Sequence, residues 1–205
     1  MDFDKMTLGE FSQLLASKSA VPGGGGASAL VASLGASLAL MVGNLTLGKK
    51  KYEANEPELR QLMAEAETLR AELLELIDRD AEAFAPLAEA YAIPKDAPGR
   101  GDVMEKCLSD AAAVPMRILE LSCRVIQLQQ GFARLGSALA VSDAGTGVVF
   151  AWGAMYGAAL NVLVNTRGMK DRAVAESLNA RVRELMDKYW KLADKTYEDV
   201  YGMLS

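Results

Sequence analysis

The 205-residue sequence contains no histidine. No imidazole is available as a general base or metal ligand, so acid–base work falls to Asp, Glu, Lys, Tyr or Cys. Cysteine is scarce. Cys107 and Cys123 are the two present, in no metal-like spacing, which argues against a disulfide framework and fits a reducing compartment. An excess of positive charge is also missing. The formal net charge is -5, so the electrostatics do not favour a nucleic-acid partner. No signal-peptide pattern precedes the first helix-like segment, which carries charges. Period-2 alternation, the mark of strands, is rare.

Helical spacing is present almost everywhere. It predicts a single all-α domain over residues 1–205, a bundle of six to eight helices with long buried central ones, large enough to bury its own core. Thr7 and Glu10 form a capping-box pair ahead of a short amphipathic helix. A helix is expected from about Ala27 to about Leu47, then a basic turn. A long helix follows over Glu56–Tyr91, kinked near Pro86. After a loop, Asp102 is the expected cap of a helix that Pro115 breaks or restarts. Ser142 is the expected N-cap of a helix running to about Asn165, and Asp171 that of the last helix.

Residues 27–47 and 144–164 carry no charge and are long enough to cross a bilayer. Both are poor in large apolar side chains. Both hold polar groups: Ser28, Ser33, Ser37 and Asn44 in the first, Thr146, Tyr156 and Asn161 in the second. A buried helix, apolar all round, fits them better than a membrane span. Each also carries a stripe of small residues at helical spacing: Ala29, Ala32, Ala36, Ala39 and Gly43, then Ala144, Gly147, Ala151, Ala154 and Ala158. Such stripes let helix axes approach closely. Asn161 and Asn165 continue the second stripe with amides, which must bond across helices or face a polar ligand.

Asp80 stands in a seam of the long helix, among Leu69, Leu73, Leu76 and Leu87. A carboxylate there is either paired with a cation or kept partly protonated by desolvation, and the second state makes a proton donor near neutral pH. Gly23, Gly24, Gly25 and Gly26 precede a helix. They read as a flexible turn or as an anion-binding N-terminus, but not as a Walker or dinucleotide loop. Lys49, Lys50 and Lys51 read as a solvated C-terminal turn or as part of a site. Lys51 would share a face with Asn44 if the helix persists that far. Asp143 suits a helix N-terminus without any catalytic role.

Taken in order, PGGGGASALVASLGASLALMVGNLTLGKKKY, DRDAEAF, SDAGTG and GAALNVLVNTRGMKD resemble the cyclodeaminase/cyclohydrolase family of folate enzymes over nearly the whole chain. The resemblance implies an all-α, cytosolic homodimer that uses no metal or other cofactor, with the small-residue stripes as close interfaces. It implies a tetrahydrofolate substrate, polyglutamylated forms included, and no nucleic-acid or membrane partner. Two reactions are implied: first, cyclodeamination of 5-formiminotetrahydrofolate to the 5,10-methenyl compound; as the alternative, hydrolysis of that compound to 10-formyltetrahydrofolate. A folate-binding protein without catalysis and a structural dimer are further alternatives. Asp80 and Asp143 would handle protons, with Lys50 nearby. Gly23, Gly24, Gly25, Gly26, Asn44, Lys51, Ser142, Asn161 and Asn165 would line the substrate. Two departures from the family pattern stand near this set. Gly26 occupies a position where serine is common, and Gly136-Ser137 replaces a Gly-Asn pair.

Overall fold

The computed structural model describes residues 2–205, and among them it contains helices and no strand. Six α-helices follow one another: α1 (Leu8–Leu15), α2 (Gly24–Thr46), α3 (Glu56–Ala92), α4 (Arg100–Leu135), α5 (Val141–Gly168) and α6 (Arg172–Leu204). Single 3₁₀ turns lie at Phe3–Lys5, Lys50–Asn55 and Ala138–Ala140.

Local chemistry sets most helix ends. Thr7 and Glu10 form the expected capping box on α1, the Glu10 N–H donating to Thr7 Oγ1 at 3.2 Å and the Thr7 N–H to Glu10 Oε2 at 2.9 Å. Asp171 Oδ1 accepts from the N–H groups of Ala173 and Val174 and so caps α6. Four expectations shift. The glycines after Gly23 belong to α2, so that helix starts three residues early. α4 opens at Arg100 behind Gly99, whose φ of 77° suits glycine, and Asp102 lies in the first turn rather than at the cap. Pro115 sits inside an unbroken α4, as Pro86 does inside α3. α5 begins at Val141 behind Ala140, which puts Ser142 in its first turn instead of at the cap.

α4 is the helix at the centre, touching α2, α3, α5 and α6. Its contact with α3 runs antiparallel, as a ladder of ion pairs records: Arg117 with Glu72 (2.6 Å), Arg124 with Glu65, and Arg134 with Glu58 (2.6 Å). In front of α4 lie α2 and α5, also antiparallel. A Cβ on Gly24 would stand 3.0 Å from Asn161 Nδ2, and one on Gly35 would stand 3.1 Å from the Gly147 carbonyl oxygen.

Both small-residue stripes are buried inside this one chain. They bring α2, α4 and α5 together, so they are not free to serve as an interface between copies. Neither α2 nor α5 is buried all round. Each turns a second stripe outward, and there Leu160 is 68% and Val164 64% exposed. These two are also the helices long and apolar enough to cross a membrane, although much of each is buried within the fold.

Candidate active site

The N-terminus of α2 has no side-chain cap of its own, because Gly23 holds that position. Asp80 of α3 supplies the missing acceptor. Its Oδ2 takes the N–H of Gly26 at 2.9 Å. This approach requires glycine, since a Cβ on Gly25 would overlap the Asp80 carboxylate. No ion pair to Asp80 occurs among the described residues. Burial pushes its pKa above the usual carboxylate value, and the Gly26 hydrogen bond opposes that only in part. Of the two readings of a seam carboxylate, pairing with a cation does not occur among the described residues, and desolvation is the main influence on its pKa.

Asp80, Phe84, Gly23, Gly24, Asn161 and Asn165 line a cavity of about 130 Å³. An apolar groove of about 340 Å³, walled by Ala81, Ala85 and Ala88, adjoins it across Val21 and Phe84. The site therefore has a polar pocket with a desolvated carboxyl group at its wall and an apolar arm. Its far wall depends on Pro115. A proline has no N–H for the carbonyl four residues back. In α4 that is the Ala111 carbonyl, and Asn165 Nδ2 donates to it at 3.0 Å. The same Nδ2 also reaches the Asn161 carbonyl (3.0 Å), while Asn161 Nδ2 donates to the Gly157 carbonyl (2.8 Å). Neither amide oxygen accepts a hydrogen bond among the described residues.

The rest of the expected site lies elsewhere. α2 is 23 residues long, about 35 Å at 1.5 Å per residue. Asn44, Lys50 and Lys51 sit at its far end, together with Ser142 and Asp143 at the start of α5. Helix α2 stops at Thr46, so Lys51 does not continue the face of Asn44. Lys49 donates to Ser137 Oγ at 3.3 Å, and the Ser137 N–H donates to Thr46 Oγ1 at 2.7 Å. The Ala138 N–H donates to the Tyr52 hydroxyl at 3.0 Å and lowers its pKa. Lys50 and Lys51 are exposed, Lys51 lying over the Tyr52 ring at 5.4 Å. Within one chain, then, Asp80 meets Gly23, Gly24, Gly25, Gly26, Asn161 and Asn165. It does not meet Asp143, Ser142, Asn44, Lys50 or Lys51.

Sequence reasoning missed two contributors to this site and one hydrogen-bonding group at the far end of α2. Phe84 stands one turn after Asp80, an i, i+4 relation that was open to view. Pro115 frees a carbonyl four residues earlier, which is also visible in principle. Tyr52 ends the basic turn, and its role emerges only from the α4–α5 connection that folds against it.

The model of the formiminotransferase-cyclodeaminase family matches residues 7–184. The chain belongs to that family. It is 38% identical to a methenyltetrahydrofolate cyclohydrolase of Methylorubrum extorquens over 198 residues, 95% of each chain. It is 32% identical to the formimidoyltransferase-cyclodeaminase of Mus musculus over 182 residues, which cover 87% of this chain and 34% of that longer protein. Its fold matches the crystal structure of a formiminotetrahydrofolate cyclodeaminase from Thermotoga maritima with a TM-score of 0.83 at 27% identity, covering 98% of this chain and 96% of that one. The fold and family implied by the motif order are thus those of this chain.

Proposed function

We propose that the protein is a methenyltetrahydrofolate cyclohydrolase in which Asp80 moves the protons. The observation that carries this reading is a carboxyl group at the wall of a cavity, with a raised pKa and no cation partner among the described residues. In the reaction, water adds to the bridging carbon between N5 and N10. Asp80 in its ionised form takes one water proton. The carbon–N5 bond then breaks, a C=O bond forms on N10, and N5 gains a proton while the second water proton leaves to solvent. A carboxyl whose pKa lies nearer neutrality serves both proton steps better than an ordinary aspartate. Oδ1 of Asp80 and the two asparagine oxygens are acceptors suited to the N–H groups of a pterin. The adjoining apolar groove suits the aromatic ring that follows it.

Cyclodeamination is the second reading, favoured by the match to the Thermotoga maritima enzyme. There N10 attacks the formimino carbon, and Asp80 in its protonated form gives its proton to the departing ammonia. The hydrolase is placed first because the 38% identical relative is matched along 95% of its own length and carries that activity in its name.

The test is spectroscopic. The protein is incubated separately with 5,10-methenyltetrahydrofolate and with 5-formiminotetrahydrofolate, and the methenyl chromophore is followed. Loss of absorbance with the first, faster than in buffer, is the expected result. A rise with the second, with ammonia released, would establish the deaminase instead. No change in either would overturn both readings.

A further inference from the structure

Asn165 is held by two carbonyl oxygens. Its Nδ2 donates to the Ala111 carbonyl of α4 and to the Asn161 carbonyl of α5, each at 3.0 Å. Both partners can only accept, so the nitrogen must face them. The two bonds use both amide protons. Oδ1 is therefore the one polar side-chain atom that Asn165 has left for a ligand. Asn161 is less committed. Its Nδ2 donates to the Gly157 carbonyl at 2.8 Å and keeps a second proton.

The sense of the Asn165 amide traces to Pro115. The proline ring removes the N–H that the Ala111 carbonyl would otherwise take inside α4. With an ordinary residue at that position, the helix would satisfy the carbonyl itself, and the Asn165 amide could turn over and present its NH2 group to the cavity. Among the described residues, the buried side-chain atoms without a hydrogen-bond partner are Gln129 Oε1 and Trp152 Nε1. Asn165 Oδ1 also lacks a partner but is not sealed in the core. It is open to the cavity that Asn165 lines with Asp80, Ala111 and Pro115.

We infer that Pro115 is a positioning residue for substrate specificity: it fixes Asn165 as an acceptor, and the Asn165 oxygen selects a ring with an amino group, not a carbonyl, on the carbon between its two pyrimidine nitrogens. This deepens the folate reading above and rests on it. With the bridging carbon at Asp80, the pyrimidine end of the pterin reaches the opposite wall, where Asn165 stands. The 2-amino group then donates to Oδ1. A 2-oxo ring sets a carbonyl oxygen against the amide oxygen, so that two acceptors face each other unpaired. Asn165 cannot relieve this by turning over, because the Ala111 carbonyl would then lose its donor. A site whose polar groups are fixed in this way rejects a mismatched ring more strongly than shape alone would.

Binding decides it, independently of turnover. The wild type, Pro115→Ala and Asn165→Ala are titrated in a calorimeter with tetrahydrofolate and with its 2-deamino-2-oxo counterpart, and the ratio of the two Kd values is taken for each protein. The wild type is expected to favour the amino compound by ~10²-fold or more. Pro115→Ala frees the amide to turn over, and Asn165→Ala removes its oxygen. Each should bring the ratio below about tenfold. A merely structural role would weaken both ligands alike and leave the ratio unchanged. A wild-type ratio near one, or a wild-type ratio kept by Pro115→Ala, would overturn the inference. If the wild type turns over neither folate yet prefers the amino ring, the reaction assigned above fails and the positioning role stands. Turnover without that preference sinks the positioning role alone, and binding of neither ring overturns both.

Discussion

Replacing Asp80 by Asn separates what its charge does from what its shape does. Asn keeps an acceptor for the Gly26 N–H, which now bonds Oδ2 at 2.9 Å. Burial raises the Asp80 pKa, so the folded chain binds that proton more tightly than the unfolded chain. The stability tied to it is complete below the unfolded carboxylate range and is lost as pH rises through the folded value. Asp80→Asn is therefore expected to match the wild type in thermal melts in acid and to melt higher above neutrality. Its turnover should fall by ~10²-fold or more. A variant that melts lower above neutrality would make Asp80 a structural group. The neighbouring glycines give a second contrast. A Cβ on Gly25 would overlap the Asp80 carboxylate, whereas one on Gly26 meets only ordinary contacts with Ile77 and Pro22, the nearest at 3.5 Å. Gly26→Ala should stabilise the helix by about 0.5–1 kcal/mol. Gly25→Ala should displace Asp80 and abolish turnover. Denaturant unfolding and the folate assay, run on both, check this.

At the level of elements, α4 and α5 are joined by an exchange of hydrogen bonds. Pro115 leaves the Ala111 carbonyl without its helical donor, and Asn165 replaces it from the next helix at 3.0 Å. Asn165→Leu should cost about 1–3 kcal/mol in urea unfolding, the penalty of a buried carbonyl left unpaired. In a Pro115→Ala background, where the helix bonds that carbonyl itself, the penalty should shrink. Equal penalties in both backgrounds would make the cross-helix bond irrelevant. This element also marks where the sequence was legible. The caps at Thr7 and Asp171 were readable because cap chemistry is local. The start of α2 was not, because its capping group, Asp80, is 54 residues away along the chain. Pro115 misled for a related reason: the donor to the carbonyl it frees, Asn165, comes from another helix, 54 residues beyond Ala111 along the chain.

For the whole molecule, helical periodicity was enough to give an all-α fold and the buried stripes, because period reports which face a residue occupies. It does not report which end of a bundle the residue reaches. Asp80, the glycines, Asn161 and Asn165 lie at one end of the bundle. Asp143, Ser142, Asn44, Lys50 and Lys51 were assigned to the same cleft and lie at the other end of α2 and α5, roughly 30 Å away at the rise of a helix. One protein chain holds half of what the motifs suggested, and the long uncharged face between the halves was readable only as apolar. That face has a further consequence during synthesis. α2 emerges from the ribosome early, while α5, which packs against it, is completed roughly a hundred residues later, seconds afterwards at ordinary elongation rates. Throughout that interval the side of this uncharged 23-residue helix that α5 will cover stays open even after α3 and α4 have packed against it, so the incomplete chain shows apolar surface that the finished fold hides.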